Sequence, residues 1–177
     1  MTTEKPAWLD ADELRAWRAL HAATVVLPVA LDVQLQRDAR ISYLEYYVLA
    51  GLSEQPDRTL RLSELAILTG AELSRISHLI VRLEKRGLVL RRPDPDDGRY
   101  TNAVLTDLGW EKVEQAAPGH VATVRSLLFD GVDPSGREEL ERTAGRIVAA
   151  LRETDLPLAP TIRKALGAPG PASDERA

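Results

Sequence analysis

The stretch S74-R-I-S-H-L-I-V-R-L-E-K-R-G87-L-V-L-R-R-P-D-P-D-D-G-R99-Y-T-N-A-V-L-T-D-L-G109 decides the fold. Leu73, Ile76, Leu79, Ile80 and Leu83 recur at helical spacing and predict one apolar side. Ser74, Arg75, Ser77, His78, Val81, Arg82 and Lys85 fall on the other. Gly87 fits the left-handed residue that closes a helix. Residues 88–90 and 100–105 read as two antiparallel strands, with 93–98 as a turn rich in proline and aspartate. Helix, strand, charged turn with an arginine near its tip, returning strand: this order builds the second half of a winged helix-turn-helix. It offers one helix to a major groove and one turn to the neighbouring backbone or minor groove.

Working outward, Asp10-Ala-Asp-Glu13 has capping-box spacing and predicts the start of a long helix. Leu14, Trp17, Leu20, His21, Thr24 and Val25 share a face. Pro28 predicts a kink or break near Leu27, after which the pattern resumes through Leu31, Leu35 and Ile41. A second helix covers 42–53, with Leu44, Tyr47, Val48 and Leu52 inward. Residues 59–62 read as a short strand and 63–68 as a third helix. Thr69-Gly-Ala-Glu72 reads as a turn with capping-box spacing. Thr106 caps a fifth helix towards Ala117, with a pause at Pro118-Gly119 and continuation to Phe129. Asp133-Pro134 starts a sixth, carrying Leu140, Ala144, Ile147, Val148 and Leu151. Beyond Thr154 the chain is Pro/Ala-rich, with one helical turn expected at 161–166 and a flexible end.

The fold class is therefore mainly α with a small β-wing: a winged helix-turn-helix flanked by N- and C-terminal dimerisation helices. The expected segments are 1–41 (N-terminal dimerisation), 42–106 (the winged unit), 107–153 (C-terminal dimerisation helices) and 154–177 (tail). The flanking helices exceed what one small winged unit can cover, and a second copy is the simplest cover.

Composition narrows the function. The 177-residue chain holds no cysteine, which excludes disulfides and thiolate metal sites, and its three histidines are far apart. A metal site and a bound cofactor are therefore not expected. The longest apolar stretch, 22–31, is broken by Thr24 and Pro28, and the acidic start lacks a signal core. A cytoplasmic protein with no membrane span is expected. The net charge is −4, yet residues 75–99 carry seven Lys/Arg against four acids. That window is +3 and the remainder −7. Phosphates feel near charges while salt screens distant ones, so a basic patch on an acidic body suits DNA.

The chain resembles the MarR family of bacterial regulators. The residues that carry the resemblance are L65-A, L79-I-V-R-L-E-K-R-G-L-V89, R91, D94-P-D-D-G-R99 and V104-L-T-D-L-G109. The resemblance is sharp over 65–109 and covers roughly 14–151 in architecture. It implies a homodimer with interlocked first, fifth and sixth helices, two winged units on a pseudo-palindrome, and transcriptional control relieved by a small ligand. Pro28 and the residues past the sixth helix depart from the family pattern.

Candidate residues follow. Arg75 and His78 are expected on bases and Ser74 and Ser77 on phosphates, with Arg82 on the same stripe. By resemblance Arg99 reaches the minor groove, and Asp97 pairs with an arginine to shape the wing. The wing acids are read as orienting Arg91, Arg92 or Arg99, because like charges repel phosphate; a plain tight turn is the competing reading. Lys85 and Arg86 are read as serving the helix end. Trp17, His21, Tyr43, Tyr46 and Tyr47 are candidates for a cavity that takes an aromatic or phenolic effector, against simple core filling. The three wing aspartates lack histidine support, and no GxSxG, phosphate loop or HExxH occurs, so an enzyme is not expected. A winged protein-interaction adaptor without specific DNA binding is the alternative, and the basic stripe argues against it.

Overall fold

The computed structural model describes residues 8–154. The helical turn expected at 161–166 and the tail beyond residue 154 lie outside them. Among the described residues six α-helices and three strands follow in the order α1 (Ala11–Ala39), α2 (Tyr43–Ser53), β1 (Thr59–Arg61), α3 (Leu62–Thr69), α4 (Leu73–Lys85), β2 (Val89–Pro93), β3 (Thr101–Leu105), α5 (Asp107–Val124) and α6 (Pro134–Arg152). A π-helical turn, Arg125–Phe129, extends α5. The sheet is antiparallel with β3 between β1 and β2.

Local chemistry sets the helix boundaries. Asp10 accepts from the amides of Asp12 and Glu13 while Glu13 reaches back to the Asp10 amide, the expected capping box. Ser42 and Glu45 repeat the device at α2. Thr106 caps α5, and Asp133 with Pro134 starts α6. The start of α4 differs from expectation. Glu72 itself is the N-cap and makes no side-chain cap bond, while the Thr69 hydroxyl turns back to the Leu65 carbonyl at 2.8 Å. Gly70 at φ +62° closes α3 and Gly87 at φ +73° follows α4, both in the left-handed region that favours glycine.

The break expected at Pro28 and the pause expected at Pro118-Gly119 do not occur. Helix α1 runs unbroken through Pro28. A proline forfeits one backbone bond and crowds the previous turn. The following turns are anchored by Leu31, Leu35 and Ala39, which are buried, and by Asp32, which accepts the Tyr43 amide at 2.7 Å. Helix α5 likewise runs through Pro118-Gly119. Gly119 is there for packing: a Cβ would lie 3.2 Å from Gln34 Nε2 on α1. The irregularity comes later, as the π-turn.

The main core gathers Val48, Leu49 and Leu52 of α2, Leu65 of α3, Ile76, Leu79, Ile80 and Leu83 of α4, and Val89, Ala103 and Leu105 of the sheet. Leu73, expected on this side, is exposed. In α2 the inward set includes Tyr46 and Leu49, while Leu44 and Tyr47 are half-buried. A second cluster, Leu35, Ala39, Ile41, Tyr46 and Ala116, joins α1 to α2 and α5. By contrast, α6 exposes Leu140, Ile147, Val148 and Leu151, and α1 exposes Trp17, Leu20, Val25, Val26, Val29 and Val33. Helix α1 is also long and apolar enough to cross a membrane, with a mean hydropathy of 1.3 over its best 18 residues.

Candidate nucleic-acid interface

Helix α4 buries Ile76, Leu79, Ile80 and Leu83, so its opposite side must face outward. Ser74, His78, Val81 and Lys85 run along the middle of that outward side at i, i+4, i+7 and i+11. Arg75 and Arg82 border it on the α1 side, lining a groove with Pro28, Val29, Asp32 and Tyr43. Ser77 borders it on the wing side, lining a smaller cavity with Arg61, Ser63, Arg99 and Tyr100. The expected DNA stripe therefore spans the full width of the exposed face, with an arginine pair at one edge and a hydroxyl at the other.

The end of α4 and the root of the wing form one hydrogen-bonded corner. The Thr106 hydroxyl donates to the Gly87 carbonyl at 2.7 Å and accepts from the Gly109 amide at 3.0 Å. A Cβ on Gly109 would stand 2.1 Å from the Leu88 carbonyl oxygen, so only glycine lets α5 begin there. The L105-T-D-L-G109 motif thus fixes the wing's return strand to the helix it follows.

Wing arginines are held by different partners. Arg99 forks onto Asp97, with Nη2 at 2.6 Å and Nε at 2.9 and 3.1 Å from the carboxylate oxygens. Its side chain remains 85% exposed. Arg99 lowers the pKa of Asp97, so that the carboxylate stays charged and the fork stays closed. Arg91, expected to be oriented by a wing aspartate, instead bonds Glu84 of α4 through its amide at 3.0 Å and its Nε at 2.7 Å. Strand β2 is thereby pinned to α4, because Glu84 stands within reach while Asp94 and Asp97 are engaged by Arg61 and Arg99. Arg86, read as serving its own helix end, reaches away to Glu45 and to the Arg40 carbonyl.

Sequence reasoning missed Arg61. It donates from Nε and Nη2 to Asp94 at 2.7 and 3.1 Å and lies over the Tyr100 ring at 5.0 Å. Asp94 is buried, and Arg61 holds its carboxyl down to about 2. The partners are 33 residues apart, and no local spacing links them.

The expected effector residues lie on α1 and α2. Trp17 and His21 lie 5.4 Å apart on α1, with Trp17 exposed. Tyr46 is buried against His120 at 4.5 Å, and Tyr47 contacts Tyr43 at 5.9 Å. Of the aromatic candidates, Tyr43 lines the groove beneath Arg75 and Arg82. Burial lowers the pKa of His120. Among the described residues no cluster of three or more His, Cys, Asp or Glu could hold a metal ion.

A sequence model of the MarR family matches residues 41–101. The fold is similar to Sco3205, a MarR family transcriptional regulator from Streptomyces coelicolor, solved in complex with DNA. Identity is 41%, the TM-score is 0.79, and the match covers 86% of this chain and 95% of that one. It is also similar to AbsC, a MarR family transcriptional regulator from the same organism, at 35% identity and TM-score 0.79, over 84% of this chain and 100% of that one. The transcriptional repressor IacR of Pseudomonas putida is 35% identical over 54 residues, 30% of this chain and 32% of IacR. The chain spans less than half the length of the first curated relatives it matches.

Proposed function

Because the chain belongs to the MarR family, we propose that it is a cytoplasmic transcriptional regulator that binds double-stranded DNA as a homodimer. It represses from a pseudo-palindromic operator and is a regulator rather than an enzyme. The observation that carries this reading is the outward side of α4, flanked by a wing whose Arg99 is both pre-oriented by Asp97 and exposed. Arg75 and His78 read base edges, Ser74 and Ser77 take phosphates, Arg82 adds charge at the groove edge, and Arg99 enters the minor groove. The uncovered apolar sides of α1 and α6 form the dimer with the second copy. That interface also accounts for the hydropathy of α1 without a membrane.

Salt dependence tests the DNA reading. Phosphate neutralisation releases counterions, so affinity for duplex DNA falls steeply as salt rises. An adaptor that binds proteins instead shows no salt-sensitive DNA binding.

A second observation favours effector control. The groove between α1, the start of α2 and α4, about 370 Å³, places Tyr43 beside Arg75 and Arg82. An aromatic or phenolic anion seated there competes with DNA for those guanidinium groups and shifts the dimer towards a form that does not fit the operator. A compound that releases DNA by this route loses its effect in Arg82→Ala.

A further inference from the structure

An acid beside a DNA-facing arginine repels phosphate unless it has another job. Asp94 sits at the foot of the wing, 6% exposed. Its carboxylate takes two bonds from Arg61 and also accepts the amides of Asp96 and Asp97 at 3.0 and 3.1 Å. Its own amide donates to the Tyr100 carbonyl at 3.0 Å, and the Arg61 guanidinium covers the Tyr100 ring. Arg61 lies at the junction of β1 and α3, and its amide is held by Glu64 in the first turn of α3 at 2.7 Å. Through its carboxylate, its own amide and its Arg61 partner, Asp94 therefore ties the start of α3 to the wing at Tyr100 and to the turn that carries Asp97. Asp97 in turn holds Arg99.

We propose that Arg61 and Asp94 form a latch that sets the wing's position against the recognition helix, so that Arg61 is a positioning residue for DNA binding and acts through Arg99. The proposal rests on the DNA-binding reading and deepens it. A two-pronged guanidinium–carboxylate pair fixes orientation as well as distance, which a single point charge does not. An ordered wing delivers Arg99 without the cost of immobilising a loop on binding.

The test uses full-length protein and a duplex that the wild type selects from a random-sequence library, with affinity read by fluorescence anisotropy. Asp94→Asn keeps an oxygen for the Asp96 and Asp97 amides and weakens the hold on Arg61. It removes a negative charge near DNA, so Coulomb's law alone makes binding tighter. The latch makes it weaker, by roughly tenfold, the scale of one charge-assisted hydrogen bond. Arg61→Lys, which keeps the charge and loses the fork, stays weak. The double variant Arg61→Ala with Arg99→Ala binds no worse than Arg99→Ala alone, because residues that act as one unit are not additive. Equal or tighter binding by Asp94→Asn overturns the latch, as does a double variant whose losses multiply. A wild type that selects no DNA overturns the regulator reading instead. The latch is then decided by amide exchange across 94–100 in the free protein: faster in Asp94→Asn supports it, and unchanged exchange overturns it.

Discussion

Gly109 shows how much one missing atom decides. An added Cβ would meet backbone at Leu88 and the Leu105 side chain at 2.6 Å, and backbone cannot yield as a flexible side chain can. Gly109→Ala is expected to destabilise the fold by about 1–3 kcal/mol, the usual cost of overpacking. The urea midpoint falls while the slope is unchanged. Arg99 lies at the other extreme. Its pair with Asp97 is solvent-exposed, and such pairs add little to stability. Arg99→Ala is therefore expected to leave thermal unfolding unchanged and to weaken operator binding by more than roughly tenfold in a gel shift, through loss of a minor-groove contact. Unchanged affinity would refute its role.

Two titrating residues both make stability fall on acidification, in different pH ranges. Arg61 holds Asp94 at about 2, below the ordinary value near 3.9. Its stabilising contribution is complete above the unfolded value and is lost as pH falls from roughly 4 towards 2. Asp94→Asn flattens that part of the acid-unfolding curve. His120 is half-buried beside Tyr46 and Tyr43, and its partial burial favours the neutral form. The unfolded chain takes up the proton first, so stability falls as pH drops below about 6.5. His120→Phe is expected to remove that slope from pH-dependent chemical denaturation, and an unaltered slope would assign it elsewhere.

At the scale of elements, local signals were legible where they are chemical and short in range. The caps at Asp10, Thr106 and Asp133, the left-handed Gly87 and the two wing strands follow from neighbouring residues, whereas the Ser42 cap and the pairing of β1 with β3 were not read. The break at Pro28 and the pause at Pro118-Gly119 were misread because tertiary packing overrides a local breaker: α1 is anchored beyond its proline, and Gly119 lies close against Gln34 of α1. The partners of Arg61, Arg86 and Arg91 were illegible for the same reason, since each ion pair joins different elements. The division of α4 into a buried and an outward side was legible, apart from Leu73, because helical periodicity separates the two. Aromatic content does not say which side of a helix faces a groove, so it could not rank the effector candidates. Among the described residues, helix α6 leaves Leu140, Ile147, Val148 and Leu151 exposed. Truncation before Pro134 is expected to give a monomer by analytical ultracentrifugation that no longer retains operator DNA. A truncated dimer would place the interface elsewhere.

For the whole molecule, charge and apolar surface divide the labour. In the proposed reading, the +3 window forms the DNA face, while the remaining −7 keeps the body from adhering to the backbone at random. The exposed apolar sides of α1 and α6 are there proposed to form the dimer, which would set the distance between two copies of α4. Duplex DNA accepts such a pair when the two helices stand roughly 34–36 Å apart, about one helical turn. Hydroxyl-radical footprinting of the full-length protein on its selected operator tests this most directly. The account predicts two symmetric protected patches with centres about 10 bp apart, flanked by minor-groove protection from each Arg99. A single patch without two-fold symmetry, or no protection at all, would contradict it.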